Sequence, residues 1–389
     1  MSLSKSQYQQ FKLFRSFGVG PVIFTKLRNR YGCAKLAMDD FDNLNKQYKK
    51  RLKVASDRQI EQELNALEEL GATLLHHEDP LFPDVLRHIH DCPPFLTVLG
   101  DVTCLNKKQV AIVGNRNASH AAMQFTQKIA AELCEQGLVV TSGLARGIDK
   151  AAHEGALKGM GKTVAVVAGG VDHIYPPEHK DLYQKIAESG AVVSEMPLGT
   201  APTQNHFPRR NRLVSGMSLG VFVVEAAKKS GSLITARLAA EQGREVFAMP
   251  GSPVDARSSG PNYLLQNGAT MVQCAADILD NLPKEVVGQA PAQQISLMAA
   301  MTKTEPESKP KQEPEVQGEV SGLTDAKPVT EDSSASLEMR LLDVLSTNAT
   351  AVDDLIRLLN VAEADVLSAL SDLELDGLVA RDARGFVKL

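Results

Sequence analysis

Six short apolar runs recur between residues 110 and 251, and they limit the possible folds of this chain more than any other feature: VAIVG (110–114), LVVTSG (138–143), TVAVVAGG (163–170), AVVSEM (191–196), GVFVVEA (220–226) and EVFAMPG (245–251). A strand with one wet face alternates polar and apolar residues, whereas an unbroken apolar run suits a strand covered on both faces. Between the runs lie stretches with apolar residues at helical spacing, for example AAMQFTQKIAAELCEQG (121–137) and LITARLAAEQG (233–243). Repeated β-α-β order of this kind predicts an α/β unit built on a doubly wound parallel sheet.

The flanks read differently. Residues 60–75 have helical periodicity ending at Gly71, and everything before about residue 100 reads as all-α or nearly so. The stretch KTEPESKPKQEPEVQGEV (303–320) has the composition of a disordered linker. Residues 336–389 regain helical spacing in three segments and finish on a short hairpin pattern, as a winged-helix module does. The expected organisation is a helical N-terminal domain at 1–78, the sheet domain at 79–282, a linker at 283–335 and a winged helix at 336–389.

Composition closes off several classes. No apolar run approaches the ~20 residues of a membrane span, and Met1 to Gln10 lack a secretory pattern. A cytoplasmic location with no membrane span is therefore expected. Cys33, Cys92, Cys104, Cys134 and Cys274 are scattered and never spaced as C-x-x-C, so neither a disulfide framework nor a zinc site is expected, and no cofactor. A net charge of −5 argues against coating nucleic acid by bulk charge, yet allows one positive groove on an acidic body.

In open parallel sheets ligands bind beyond the carboxyl ends of the strands, so the residues just after each run matter most. The first run leads into Gly114-Asn115-Arg116-Asn117-Ala118-Ser119, which is not a G-x-G-x-x-G dinucleotide fingerprint. The second leads into Ser142-Gly143-Leu144-Ala145-Arg146-Gly147-Ile148-Asp149, a loop suited to a phosphate. Lys228-Lys229-Ser230-Gly231-Ser232 again sets small residues and positive charge at a helix start. The densest feature is His206-Phe207-Pro208-Arg209-Arg210-Asn211-Arg212. Arginine grips phosphate bidentately and an aromatic ring stacks under any base, a pairing suited to single-stranded nucleic acid. The competing reading has the arginines starting a helix and pairing with carboxylates while Phe207 fills the core.

In order along residues 80–275, VAIVGNRNAS, TSGLARGIDKAAH, IYPPEHKDL, SEMPLG, FPRRNRLVSGMS, VVEAAKKSGSLITARLAAEQGREVFAMPGS and SGPNYLLQNGA resemble the signature segments of the DNA-processing protein A (DprA/Smf) family. The resemblance implies an extended Rossmann-like domain that binds single-stranded DNA, forms a homodimer and helps load the RecA recombinase during natural transformation. It carries DNA contacts onto Gly114, Arg116, Ser142, Gly143, Phe207, Arg210 and Asn211. The physical reading adds Arg146, Arg209, Arg212, Lys228 and Ser232. Asn115 stands where the family usually has Ser, and Thr203, Gln204 and Asn205 lack a lysine that some members carry, which implies weaker affinity. Asn262 to Met271 resembles the family's dimer surface, with Leu265 and Met271 as candidates, although both could equally be core. Phe17-Gly18-Val19-Gly20-Pro21 resembles the turn of a helix-hairpin-helix or sterile-alpha-motif-like module, with a plain helical turn as the alternative. Glu363 to Gly377 carries five carboxylates and no Lys or Arg, so this module is expected to meet proteins, or to do nothing electrostatic, rather than to read a DNA groove.

Two other functions remain open at this level. Asp149 and His153 are spaced i,i+4, and Glu195 and Glu225 follow strands, which allows a nucleotide hydrolase of the lysine-decarboxylase-like type, although its P-G-G-x-G-T signature is missing. In the bland account Asp149 orients its loop, His153 bonds inside the fold and the glutamates position arginines, so no catalytic residue is expected. The third possibility is a mononucleotide sensor using the same loops.

Overall fold

The computed structural model describes residues 3–48, 51–159, 161–228 and 230–283, isolated positions between 341 and 373, and the segments 379–382 and 385–388. The chain divides into two compact units, Met1–Ser308 and Lys309–Leu389. The first opens with helices α1 (Lys5–Arg15), α2 (Pro21–Tyr31), α3 (Ala34–Asp39), α4 (Phe41–Tyr48) and α5 (Asp57–Glu69). Their starts are written in the sequence: Ser4 with Gln7 and Ser56 with Gln59 form capping boxes, and Pro21 occupies the first turn of α2.

Strands β1 (Thr73–His76) and β2 (Phe95–Gly100) follow, with the single-turn helix α6 (Asp84–Arg87) between them. The expectation of an all-α segment up to about residue 100 fails here. Four- and six-residue strands are too short for a two-residue period to stand out beside strong flanking helices, and only pairing with the rest of the sheet stabilises them.

The alternation predicted from the apolar runs then appears: β3 (Gln109–Val113), α7 (His120–Glu135), β4 (Val139–Ser142), α8 (Ile148–Lys158), β5 (Thr163–Val166), α9 (Lys180–Ser189), β6 (Ala191–Ser194), α10 (His206–Gly216), β7 (Gly220–Val223), α11 (Gly231–Glu241), β8 (Glu245–Ala248), α12 (Ser259–Gln266), β9 (Thr270–Met271) and α13 (Ala275–Asn281). The nine strands lie in the order β1-β2-β6-β5-β4-β3-β7-β8-β9. Pairing is antiparallel for β1 with β2 and β2 with β6, and parallel from β6 through to β9. All residues of β3, β4, β5, β6 and β7 are buried, the reason their sequences are unbroken apolar runs.

The N-terminal helices do not own a separate core. Phe11, Phe14, Phe24 and Leu27 join one buried cluster with Leu74, Phe95, Ala165 and Val192 from the sheet, and the rings of Phe11 and Phe95 meet edge to face at 5.1 Å. From β3 the order runs one way to β6 and the other way to β9. Such a reversal opens a crevice at the carboxyl ends of β3 and β7, where the two loops diverge.

In the second unit Leu341, Leu355, Leu359, Val366, Leu370 and Leu373 are buried helical positions. An antiparallel pair, β10 (Val379–Asp382) and β11 (Gly385–Lys388), closes it, in keeping with a winged helix. The linker expected at 283–335 and the carboxylates of Glu363–Gly377 lie outside the described residues, apart from Pro283. Among the described residues, no helix is long and apolar enough to cross a membrane.

Candidate nucleic-acid interface

Loops following β3, β4, β5 and β6 converge with the first turn of α11 around two adjoining depressions. The smaller spans about 490 Å³, counting space open to solvent, and includes Gly143, Arg146, Gly169 and His173 in its wall. The larger spans about 1470 Å³ on the same basis and includes Gly114, Asn115, Asn211 and Ser232. Arg116, Ala145, Tyr175, Phe207 and Arg210 line both, so they form the boundary between the two. Arg116 lies over the ring of Phe207 at 5.3 Å, and the Tyr175 ring is 5.8 Å from Phe207 at an interplanar angle of 53°.

Close packing holds these loops in place. A Cβ at Gly114 would strike the side chain of Ile148, and Gly147, at φ +71, faces the carbonyl oxygens of Asn115 and Arg116 so closely that a Cβ there would collide with both. The Ile148 N–H donates to Asn115 O at 3.2 Å. Ser232 Oγ donates to Gly114 O at 2.9 Å, joining the start of α11 to the same turn. At the crevice itself Glu225 accepts from Ser119 N at 2.9 Å and from Ser119 Oγ at 2.7 Å. The same hydroxyl caps α7 by accepting from Ala122 N at 3.1 Å.

The β4 loop turns through Leu144, whose φ of 58 places a fully buried leucine in the left-handed region, at a cost of about 1–2 kcal/mol. Its neighbours offset this: the Asp149 carboxylate accepts from Gly143 N at 3.1 Å and Ala145 N at 3.3 Å, and His179 Nδ1 donates to Leu144 O at 3.0 Å. Burial pushes the Asp149 carboxyl above its ordinary range, against the pull of Arg210 and the two N–H groups.

Three sequence expectations need correction. Arg210 is not a solvent-facing clamp: it is only 6% exposed, and Nη1 donates to Gly143 O and, at 2.5 Å, to Val166 O. Burial, opposed by Asp149 and aided by the charge of Arg116, lowers its pKa to about 10, so it remains a cation within the lining that the two depressions share. Arg212 lines neither depression. It is buried in ion pairs with Glu195 and, at 3.2 Å, with Asp91. Ser142 is fully buried and spends its hydroxyl on Ile112 O at 2.6 Å. An α-helix sends neighbouring side chains in different directions, so a run of arginines cannot all face one groove.

Of the remaining candidates, Arg146 is exposed in the smaller depression and paired with Glu178. Arg209 and Lys228 are exposed but line neither depression. Arg209 instead points towards the Gly20 turn, its Nη2 4.0 Å from where a Cβ there would sit. Leu265 is partly buried against the main core, while Met271 is 49% exposed.

Comparison with known proteins bears on the same region. Residues 73–283 match the family model described as DNA recombination-mediator protein A. The DNA processing protein DprA of Bacillus subtilis (strain 168) is 44% identical over 225 residues, spanning 58% of this chain and 76% of that one. The chain belongs to the DprA/Smf family. Its flanks agree: residues 4–66 match a DprA-like N-terminal HHH domain and residues 325–383 the DprA winged helix domain. Protein Smf of Synechocystis sp. (strain ATCC 27184 / PCC 6803 / Kazusa) is 31% identical over 380 residues, 94% of both chains. The X-ray structure of DprA from Streptococcus pneumoniae superposes with a TM-score of 0.62 at 32% identity, covering 73% of this chain and all of that one.

Within this DprA/Smf site the carboxylates offered for acid–base chemistry are engaged elsewhere: Asp149 on its loop, Glu195 on Arg212, Glu225 on Ser119 rather than on an arginine. His153 is fully buried on Thr163 at 2.7 Å, and burial lowers its pKa to about 3. Among the described residues, no group of three or more His, Cys, Asp or Glu could hold a metal ion. Tyr175 is the site residue that reading the sequence missed. It sits in the IYPPEHKDL segment, where nothing local signals the approach to Phe207, 32 positions on.

Proposed function

We propose that this protein binds single-stranded DNA along the two depressions, as a cytoplasmic homodimer without catalytic activity of its own, and helps load the RecA recombinase onto that strand during natural transformation. The observation that carries the DNA reading is the ridge of Arg116, Phe207 and Tyr175: a fixed positive charge over a half-buried Phe207 ring with the exposed Tyr175 beside it, flanked by open space on both sides. That is a platform for unpaired bases rather than a cleft for duplex. Gly114, Gly143, Asn211 and Ser232 shape the walls, Arg146 adds charge at one end, and Arg210 supplies a field from below. For the dimer, Met271 is the exposed candidate of the Asn262–Met271 segment, while Leu265 is partly buried against the main core.

The test is fluorescence anisotropy with labelled poly-dT of graded length at two salt concentrations. Affinity should rise with length and fall steeply with salt, and Arg116→Ala should lower the salt slope by about 0.7. Saturation at one nucleotide, or binding indifferent to Arg116, overturns the reading.

A further inference from the structure

We propose that Tyr175 is itself a base-stacking residue, the exposed end of the ridge on which an unpaired base first lands; this rests on the DNA reading above. Phe207 is half-buried, and Arg116 already lies over its ring. Tyr175, by contrast, is 44% exposed, lines both depressions, and has no hydrogen-bond partner for its hydroxyl among the described residues. Its ring is tilted at 53° to that of Phe207, and the surface it leaves exposed is open to a flat ligand.

The loop that presents Tyr175 is held for the purpose. Tyr183 Oη, buried, donates to Val171 O just before it, and His179, also buried, holds Leu144 O just after it. Asp172 accepts from Gly199 N at 2.7 Å, and Glu178 pairs with Arg146. With both shoulders fixed, little ordering remains to be done when a base arrives, which is the condition under which stacking is expressed fully as affinity.

The chain contains no tryptophan, so Tyr175→Trp introduces a single tryptophan at the ridge, which can be excited selectively. Its emission should be quenched on adding dT oligonucleotide and unchanged on adding a fully abasic strand of equal length. In anisotropy, Tyr175→Ala should weaken dT binding about 5- to 150-fold, leave the salt slope unaltered because no phosphate contact is removed, and leave binding of the abasic strand unchanged. Tyr175→Phe should bind as the parent does. Equal losses on dT and abasic strands, or wild-type affinity in Tyr175→Ala, would overturn the stacking role while leaving the DNA reading intact. Absence of DNA binding by the parent protein overturns both.

Discussion

Arg212 on α10 reaches Glu195 at the end of β6, and the two side chains are 7% and 4% exposed. The same arginine holds Asp91 O at 2.8 Å, and Arg15 of α1 donates to Glu195 O at 3.1 Å while pairing with Glu63. The pair therefore sits where the N-terminal helices, the sheet and α10 meet. Removing one partner strands a buried charge, so Arg212→Met should cost about 3–5 kcal/mol, much of it recovered when Glu195→Met is added. Urea denaturation measures the cost. DNA affinity of the folded variants should be unchanged; a loss of affinity at full stability would return Arg212 to the interface.

Arg116 contributes a plane as well as a charge, because it lies on Phe207. Arg116→Lys keeps the charge and loses the planar stack, a difference of about 1–2 kcal/mol in contact with bases and rings. Single-stranded DNA affinity should fall about 5- to 30-fold with the salt slope preserved, whereas Arg116→Ala should also lower the slope. Identical behaviour of the two variants would mean that only charge matters there.

These two arginines show how far the sequence could be read. The parallel sheet was legible because burial on both faces forces unbroken apolar runs, and its loops were legible because ligands meet such sheets at one edge. Which of Arg209, Arg210 and Arg212 faces the groove was not: that depends on the rotational setting of α10, and the setting is fixed by tertiary partners such as Glu195 and Val166 O. β1 and β2 were missed because β2 joins the sheet through β6, nearly a hundred positions on, and β1 pairs only with β2. Tyr175 was missed for the same reason, since its role exists only once Phe207 stands beside it.

Gly147 tests whether the loops are locked together. Gly147→Ala combines a left-handed backbone with a collision against Asn115 O and Arg116 O, while Gly137→Ala has a comparable φ of +81 and open space around it. The second should lose only about 1 kcal/mol of stability and no affinity. The first should lose more and also displace Arg116, weakening DNA binding by an order of magnitude or so. Denaturation and anisotropy on both variants separate strain from collision, and equal effects would mean the β3 and β4 loops move independently.

Acid should loosen the N-terminal helices before it unfolds the rest. His77 Nε2 lies 2.7 Å from Arg28 Nη1, so the ring must accept and is neutral. Burial, with His76 and Arg28 nearby, pushes its pKa down to about 4, and burial also lowers that of His76, which meets Gln10 of α1 at 3.2 Å. The unfolded chain titrates these rings near 6.5, so the fold binds fewer protons than the unfolded state below that pH. For His77 the stability is fully present above about pH 6.5 and is lost towards pH 4, and His76 shifts in the same direction. Carboxylates with lowered native pKa, such as Asp101 at about 2 beside Lys162, act in a separate window below about pH 4. Urea midpoints at pH 7.5, 6.5, 5.5 and 4.5 should therefore fall across the upper window, and His77→Gln, whose amide can still accept from Arg28, should flatten part of that slope. A midpoint constant from pH 7.5 to 4.5 would mean that the two rings are not held neutral, and that the joint between helices and sheet is not built as described.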